Sequence, residues 1–417
     1  MTRATGPWRP WSGVCLIGLL VWTDSANADL QVTEFRPLPF GSVSIAYGIN
    51  ESGTVVGESS QVFGGNRAIR ASVGSDPISL GTLQGGWSSV ALGINALGHV
   101  VGRSQTFVTG LGMTTRAFRT VDDGSLIDLG TLAGATSSEA RAISNTGFVV
   151  GTSYDRMGQS RAVRWNPDGT IRAIVGLSLG TSAAFDVNDR GDVVGWAVNA
   201  EGIRRAFLAD GAGVEPGRAV DLGALVPNGW SEAYGINASG AITGAAQSAS
   251  GQSHAFYYSA GGGMLDIHDS SLGISSYGFD INIRGEVVGR IETSQGSRAF
   301  FWSPDAGMVD LNRLIAPDSG WILHAAYGIN SLGQVVGLGT YQGRTRGFIL
   351  RVRTGSGGQS AVPEPSTALL AVTGVVLLAG LSRSRVARRH ENGLGTVGGS
   401  PYVERGAVPG SGSARLS

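Results

Sequence analysis

Asn50-Glu51-Ser52-Gly53-Thr54-Val55-Val56-Gly57 decides the fold, because the chain keeps returning to it. Its core is Gly-x-φ-φ-Gly, with φ apolar or, once, Thr. It begins at Gly53, Gly98, Gly147, Gly191, Gly240, Gly285 and Gly333. The second glycines are Gly57, Gly102, Gly151, Gly195, Gly244, Gly289 and Gly337. Asn stands three residues before the first glycine at Asn50, Asn95, Asn188, Asn237, Asn282 and Asn330, and Ser144 takes that place in the third copy. A short apolar strand precedes the Asn, as in Ala46-Tyr47-Gly48-Ile49. Asn can bond its own backbone and Gly can enter φ > 0, so strand, Asn-x-x-Gly turn, strand is a coherent hairpin. The copies are 44 to 49 residues apart. That period is long for a β-helix, and the 3.6-residue pattern of a helical solenoid is missing.

Working outward, each unit carries a third strand marked by a basic residue, a small residue and a large apolar one. The seven versions start at Arg67, Arg116, Arg161, Arg205, His254, Arg298 and Arg346. A fourth strand is expected at Leu80-Gly81-Thr82-Leu83, with relatives at Leu129–Leu132, Leu222–Leu225 and Asp310–Leu314. Four short strands every ~45 residues match a propeller blade. The seventh unit stops after its third strand, Phe348 to Val352. The N-terminal region has a strand to spare: Leu38 precedes Asn50 by 12 residues, as Leu83 precedes Asn95. Phe35-Arg36-Pro37-Leu38 is therefore expected to pair with Phe348–Val352 and complete the last blade, which removes an open edge. The fold class that follows is all-β, a seven-bladed β-propeller over residues 29–353 whose last blade is closed by the N-terminal strand.

This region resembles the extracellular HAF-repeat family, whose tripeptide stands literally at His254-Ala255-Phe256. The resemblance spans about residues 35 to 352. It implies a secreted or surface protein of bacteria and brings no activity with it.

Composition narrows the function classes. Gly makes up 67 of 417 residues, charged residues 15%, and the net charge is zero. A basic nucleic-acid binder should show a positive surplus, so no nucleic-acid partner is expected. A collagen would need far more than 14 Pro. The single Cys, Cys15, rules out a disulfide scaffold.

Both ends read as addresses. Residues 1–28 have the form of a secretory signal peptide: Arg3 and Arg9, an apolar run from Trp11 to Trp22, then Ala26-Asn27-Ala28 before Asp29. The run is short for a membrane span, which favours a signal over an anchor. Cleavage would remove Cys15, and with it any thiolate chemistry. At the other end, a Gly/Ser linker over 354–361 leads to Val362-Pro363-Glu364-Pro365-Ser366. An uncharged apolar stretch, 368–381, follows and is read as a transmembrane sorting helix. Arg383, Arg385, Arg388 and Arg389 close it and would hold that side in the cytoplasm. This ordered triple, 362–389, resembles the PEP-CTERM sorting signal of Gram-negative bacteria. The resemblance implies recognition by the membrane protease-transpeptidase exosortase, export through the inner membrane and a membrane-anchored precursor. Residues 390–417, Gly/Ser-rich and aperiodic, read as a disordered tail.

No constellation announces catalysis. His99, His254, His268 and His324 fall in different units. The His268-Asp269-Ser270 run places neighbours on opposite faces of a strand, so its closeness in sequence is poor evidence for a triad. The repeated Asn residues are neutral where calcium would want carboxylates, and read as turn supports. The repeat Arg is expected to pair with acids such as Asp128, Asp221 or Asp310. No catalytic residue, metal ligand or cofactor is assigned. Trp87, Trp230 and Trp321 are the candidate ligand-binding residues, because each falls in the loop between a fourth strand and the next first strand, on one rim. Three such rings would suit a sugar or a peptide. The expected role is a non-enzymatic binding or structural module of the extracellular matrix or exopolysaccharide layer, with an exopolysaccharide or a surface protein as partner. The alternative is an extracellular, polysaccharide-active enzyme with its site at the channel mouth.

Overall fold

The computed structural model describes residues 30–352, except 175, 176, 178, 179 and 212–218. The signal peptide, the linker, the sorting segment with all nine of its named residues, and the tail lie outside the described residues. Among the described residues, no helix is long and apolar enough to cross a membrane.

Seven four-stranded antiparallel sheets make up the described chain. Blade 1 runs from the channel outward as Ser44–Ile49, Thr54–Ser60, Asn66–Ser72 and Ile78–Gly81. Blades 2 to 6 repeat this order. Their inner strands are Ser89–Ile94, Ser137–Ile143, Ser182–Val187, Ser231–Ile236 and Ser275–Ile281. In blade 7, Trp321–Ile329, Gln334–Tyr341 and Arg344–Arg351 are joined on the outside by Val32–Phe35. The two ends of the described residues therefore meet in one sheet and close the ring.

The repeated motif builds the inner hairpin. The Asn50 side-chain oxygen accepts from the Thr54 N–H at 2.8 Å, and Gly53 sits at φ +78°. The second glycine answers a different demand. Every inner strand bulges, in blade 1 between Ala46 and Gly48. The bulge presses the strand's backbone onto its neighbour, so a Cβ on Gly57 would lie 1.9 Å from the Ile45 carbonyl oxygen.

The core lies between blades. Phe118, Phe207, Phe256, Phe300 and Phe348 of the third strands are fully buried. The small residue before each is set by a stitch from the next blade. The Ser89 hydroxyl accepts from the Ala68 N–H at 2.9 Å and donates to the Gly81 carbonyl. Ser138 serves Ala117 in the same way, Ser182 serves Ala162, Ser231 serves Ala206, and Ser276 serves Ala255. At the seventh position Gly347 replaces Ala, because a Cβ there would meet Phe35 Cδ1 at 2.9 Å and the Ala46 nitrogen at 3.0 Å.

The fourth strands lie a few residues earlier than the sequence reading placed them, at Ile78–Gly81, Leu126–Asp128, Val220–Asp221 and Gly307–Asp310. The Leu-Gly pair ends the strand instead of forming it. Gly130 and Gly223 turn left-handed, at φ +75° and +81°, and donate to the Asp128 and Asp221 carboxylates at 2.8 Å. The closing strand shifts likewise. Val32–Phe35, not Phe35–Leu38, pairs with Gly347–Leu350. The 12-residue alignment of Leu38 with Leu83 was sound, since both donate their N–H to a serine hydroxyl, Ser59 and Ser104, at 2.9 Å. It aligns linkers, one step after the strand.

Candidate functional site

The channel is lined by the inner strands. The residue left over by each bulge stands three places before the Asn: Tyr47, Leu92, Arg141, Phe185, Tyr234, Phe279 and Tyr327. Five are aromatic, and they form an unbroken arc. Ring centroids lie 5.3 Å apart for Phe185–Tyr234, 5.8 Å for Tyr234–Phe279, 5.5 Å for Phe279–Tyr327 and 5.5 Å for Tyr327–Tyr47. Arg141 extends the arc, its guanidinium 5.0 Å over the Phe185 ring. The collar lines an open cavity of about 290 Å³.

Two carboxylates enter this cavity. The position after the bulge is Gly or Ala in five blades, but Asp186 and Asp280 in blades 4 and 6. Each is held by backbone alone. Asp186 accepts from the Val187 and Ile236 N–H groups, and Asp280 from those of Ile281 and Ile329, all at 2.8 Å. Burial, and then the charge of Asp280, push the Asp186 carboxyl up to about 8. Burial also pushes Asp280 up to about 6, against the backbone bonds that favour its charged form. Around them two of the three collar phenols are spoken for. Tyr47 donates to Glu58 at 3.0 Å and Tyr234 to Glu232 at 2.7 Å, and burial raises both phenols. Burial alone would raise the Glu139 carboxyl, but Arg141 and Arg103 hold it below the usual range.

At the turn end of the channel the Asn residues form a belt. Each amide nitrogen donates to the backbone carbonyl at the same place in the next blade: Asn50 to Asn95 at 3.0 Å, Asn95 to Ser144 at 3.1 Å, Asn188 to Asn237 at 3.3 Å, Asn237 to Asn282 at 2.9 Å, Asn282 to Asn330 at 3.1 Å, and Asn330 to Asn50 at 3.0 Å. Ser144 has no amide. There Asn145 spans to the Asp189 carboxylate instead, at 2.7 and 2.9 Å. The Asn side chains thus support the turns and also tie neighbouring blades. Among the described residues no group of His, Cys, Asp and Glu could hold a metal ion.

The opposite rim carries the inter-blade linkers and the hairpins between second and third strands. The structure separates the three Trp. Trp87 is 66% exposed. Its linker lies between two hairpins that also present rings: Ser88 binds the Asn66 and Gln105 N–H groups at 3.2 and 2.9 Å, while Phe63 and Phe107 stand out into solvent. Trp230 is half-buried. Trp321 packs against the blade 7 core and stacks on Tyr341 at 4.8 Å. The repeat basic residues mostly hold this rim together. Arg205 pairs with Asp221 at 3.1 Å, His254 with Asp266 at 2.7 Å and Arg346 with Glu34 at 2.6 Å, while Arg161 binds the Gly180 carbonyl at 3.0 Å.

The histidines do not assemble a triad. Asp269 caps the Ser271 N–H, and His268 contacts Ser276 at 2.9 Å. Ser276 is fully buried and already engaged by Ala255. His268 stacks on His254 at 4.0 Å, and burial followed by the nearby His254 lowers its basicity.

The collar was missed because its residue types vary. The signal that finds it is positional: aromatics recur three places before the repeat Asn. The serine stitch sits six before it, at Ser44, Ser89, Ser138, Ser182, Ser231 and Ser276.

No family model and no curated protein matches the chain. Solved structures do. The β-propeller domain of the trilobed protease from Pyrococcus furiosus, described as having an open velcro topology, is 11% identical over 75% of this chain and 94% of that one, with a TM-score of 0.50. A streptogramin B lyase is 11% identical over 78% and 98%, at 0.42. A puromycin hydrolase is 12% identical over 73% and 53%, at 0.45. At such identities the first likeness supports the propeller fold alone. The ring here differs from the archaeal domain's described topology in being closed by its N-terminal strand.

Proposed function

We propose that this chain is an exported HAF-repeat propeller, sorted by exosortase through its PEP-CTERM segment. In this reading it acts outside the cell as a non-enzymatic binding module of the exopolysaccharide layer. The observation that carries the binding role is the exposed group on the linker rim, where Trp87 stands between Phe63 and Phe107. Rings presented to solvent offer flat apolar faces, which suit the apolar faces of sugar rings. Trp230 and Trp321 serve packing in this reading, and the ligand surface narrows to blades 1 and 2. The absence of catalysis is supported by the engagement of the nearest His–Ser contact in blade stitching.

The test is binding of the secreted chain to an array of bacterial exopolysaccharides, beside Trp87→Ala and Phe107→Ala variants. Retention of acidic and neutral glycans by the native chain, with at least tenfold loss in either variant, is expected. Equal binding by all three proteins, or none, removes the carbohydrate reading. Sorting is checked separately. Replacing Pro363, Glu364 and Pro365 by Ala should leave the chain in the membrane fraction of a host that has exosortase.

A further inference from the structure

We propose that the aromatic collar is a second binding site, for a small organic cation that carries a primary or quaternary ammonium group. It is independent of the rim.

Three observations converge. The cavity of about 290 Å³ has the size for one small molecule and not for a chain. Five aromatic side chains line one side of it, and ring faces attract cations that have lost water. The protein already places one of its own cations on this surface, where Arg141 lies 5.0 Å over Phe185. Arg290 is likewise 5.9 Å from the Phe279 ring. Finally, Asp186 and Asp280 bring carboxylates into the cavity at positions filled elsewhere by Gly or Ala.

Among the described residues the two carboxylates have no cation paired with them. Every hydrogen bond they make comes from a backbone N–H, and among the described residues neither makes a salt bridge with Arg or His. Arg141 is drawn aside to Glu139, at 2.7 Å. Desolvation of both acids, and the charge of Asp280 beside Asp186, are thus opposed by backbone N–H groups alone. An ammonium between them would relieve both, while the rings stack on its methyl or methylene groups. A neutral molecule of the same shape would gain only the packing.

The experiment is isothermal titration of the secreted full chain with choline, glucosamine, N-acetylglucosamine and 3,3-dimethylbutanol, the uncharged shape of choline. Binding of choline or glucosamine at least tenfold tighter than its neutral counterpart is expected. Choline as the better ligand assigns a quaternary ammonium, and glucosamine an amino sugar. Asp186→Asn and Asp280→Asn remove the charge, keep one of the two backbone bonds that each carboxylate accepts, and should each weaken the cation at least tenfold. If neither variant folds, Phe279→Leu serves in their place, with the same expected loss. Trp87→Ala should leave cation binding unchanged, which separates this site from the rim. Equal affinity for charged and neutral ligands, no binding of either cation, or full binding by the folded variants overturns the proposal.

Discussion

Single residues in this chain are fixed by what the neighbouring strand allows. In blade 2, a Cβ on Gly98 would meet nothing within 4 Å, and its glycine serves only φ +84°. Gly102, four residues on, faces the Val90 carbonyl oxygen, 2.0 Å from where a Cβ would stand. One glycine is conformational and the other steric, though the motif prints them alike. Asp186 shows the opposite case, an added group that the fold resists. Unfolded, it titrates in the ordinary carboxylate range; folded, it titrates near 8. Between those values the native state holds a proton that the unfolded chain has released, so stability falls as pH rises. His268, whose basicity is lowered, acts with the opposite sign below its ordinary value near 6.5. The melting temperature is therefore expected to fall between pH 6.5 and 8, and Asp186→Asn should flatten most of that slope. A slope unchanged by the variant would contradict the assignment.

At the scale of the element, the hairpin is also a tie. Asn237 accepts from the Ala241 N–H at 2.9 Å and donates to the Asn282 carbonyl at 2.9 Å. Blade 3 shows what remains when only the first role is kept, since Ser144 accepts from the Phe148 N–H at 3.1 Å. Asn237→Ser should cost about 1 kcal/mol, the step of the inter-blade bond, and Asn237→Ala at least about 2 kcal/mol, because the turn bonds from Ser239 and Ala241 are lost as well. Urea unfolding with an unchanged m-value checks both. What was legible in the sequence was local chemistry. The Asn-x-x-Gly turn announces itself, because both residues have few other reasons to recur so spaced. The outer strand was misplaced because Leu83 is a buried hydrophobe that reads as strand, while Ile78 and Val220 are exposed and carry little pattern. The belt and the collar were illegible for another reason. They join residues 44 to 280 positions apart, and no window along the chain contains both partners.

For the whole molecule, the decisive contact joins the two ends of the described chain. Val32–Phe35 covers the outer edge of Arg344–Arg351, and Phe35 is buried against Gly347. Arg346, itself nearly buried, pairs with Glu34 at 2.6 Å. Removing residues 32–35 leaves an unpaired edge and takes the carboxylate from that buried guanidinium, which keeps only the Ser42 and Thr345 carbonyls. The truncated chain should melt at least 10 °C lower. Amide exchange in 344–351 should also quicken ahead of every other blade. Equal exchange across all blades would mean that closure is not what holds the ring.

The belt has one further consequence. Its irregular link, between blades 3 and 4, lies across the ring from the blade where the chain ends meet. Elsewhere the amides that carry it are buried; here the bond runs through exposed Asn145 and Asp189. A bracelet built this way has its clasp at blade 7 and its solvent-exposed link diametrically opposite. That link, one turn from Arg141 and Phe185, is the place in the belt where water competes for the bond that holds two blades together.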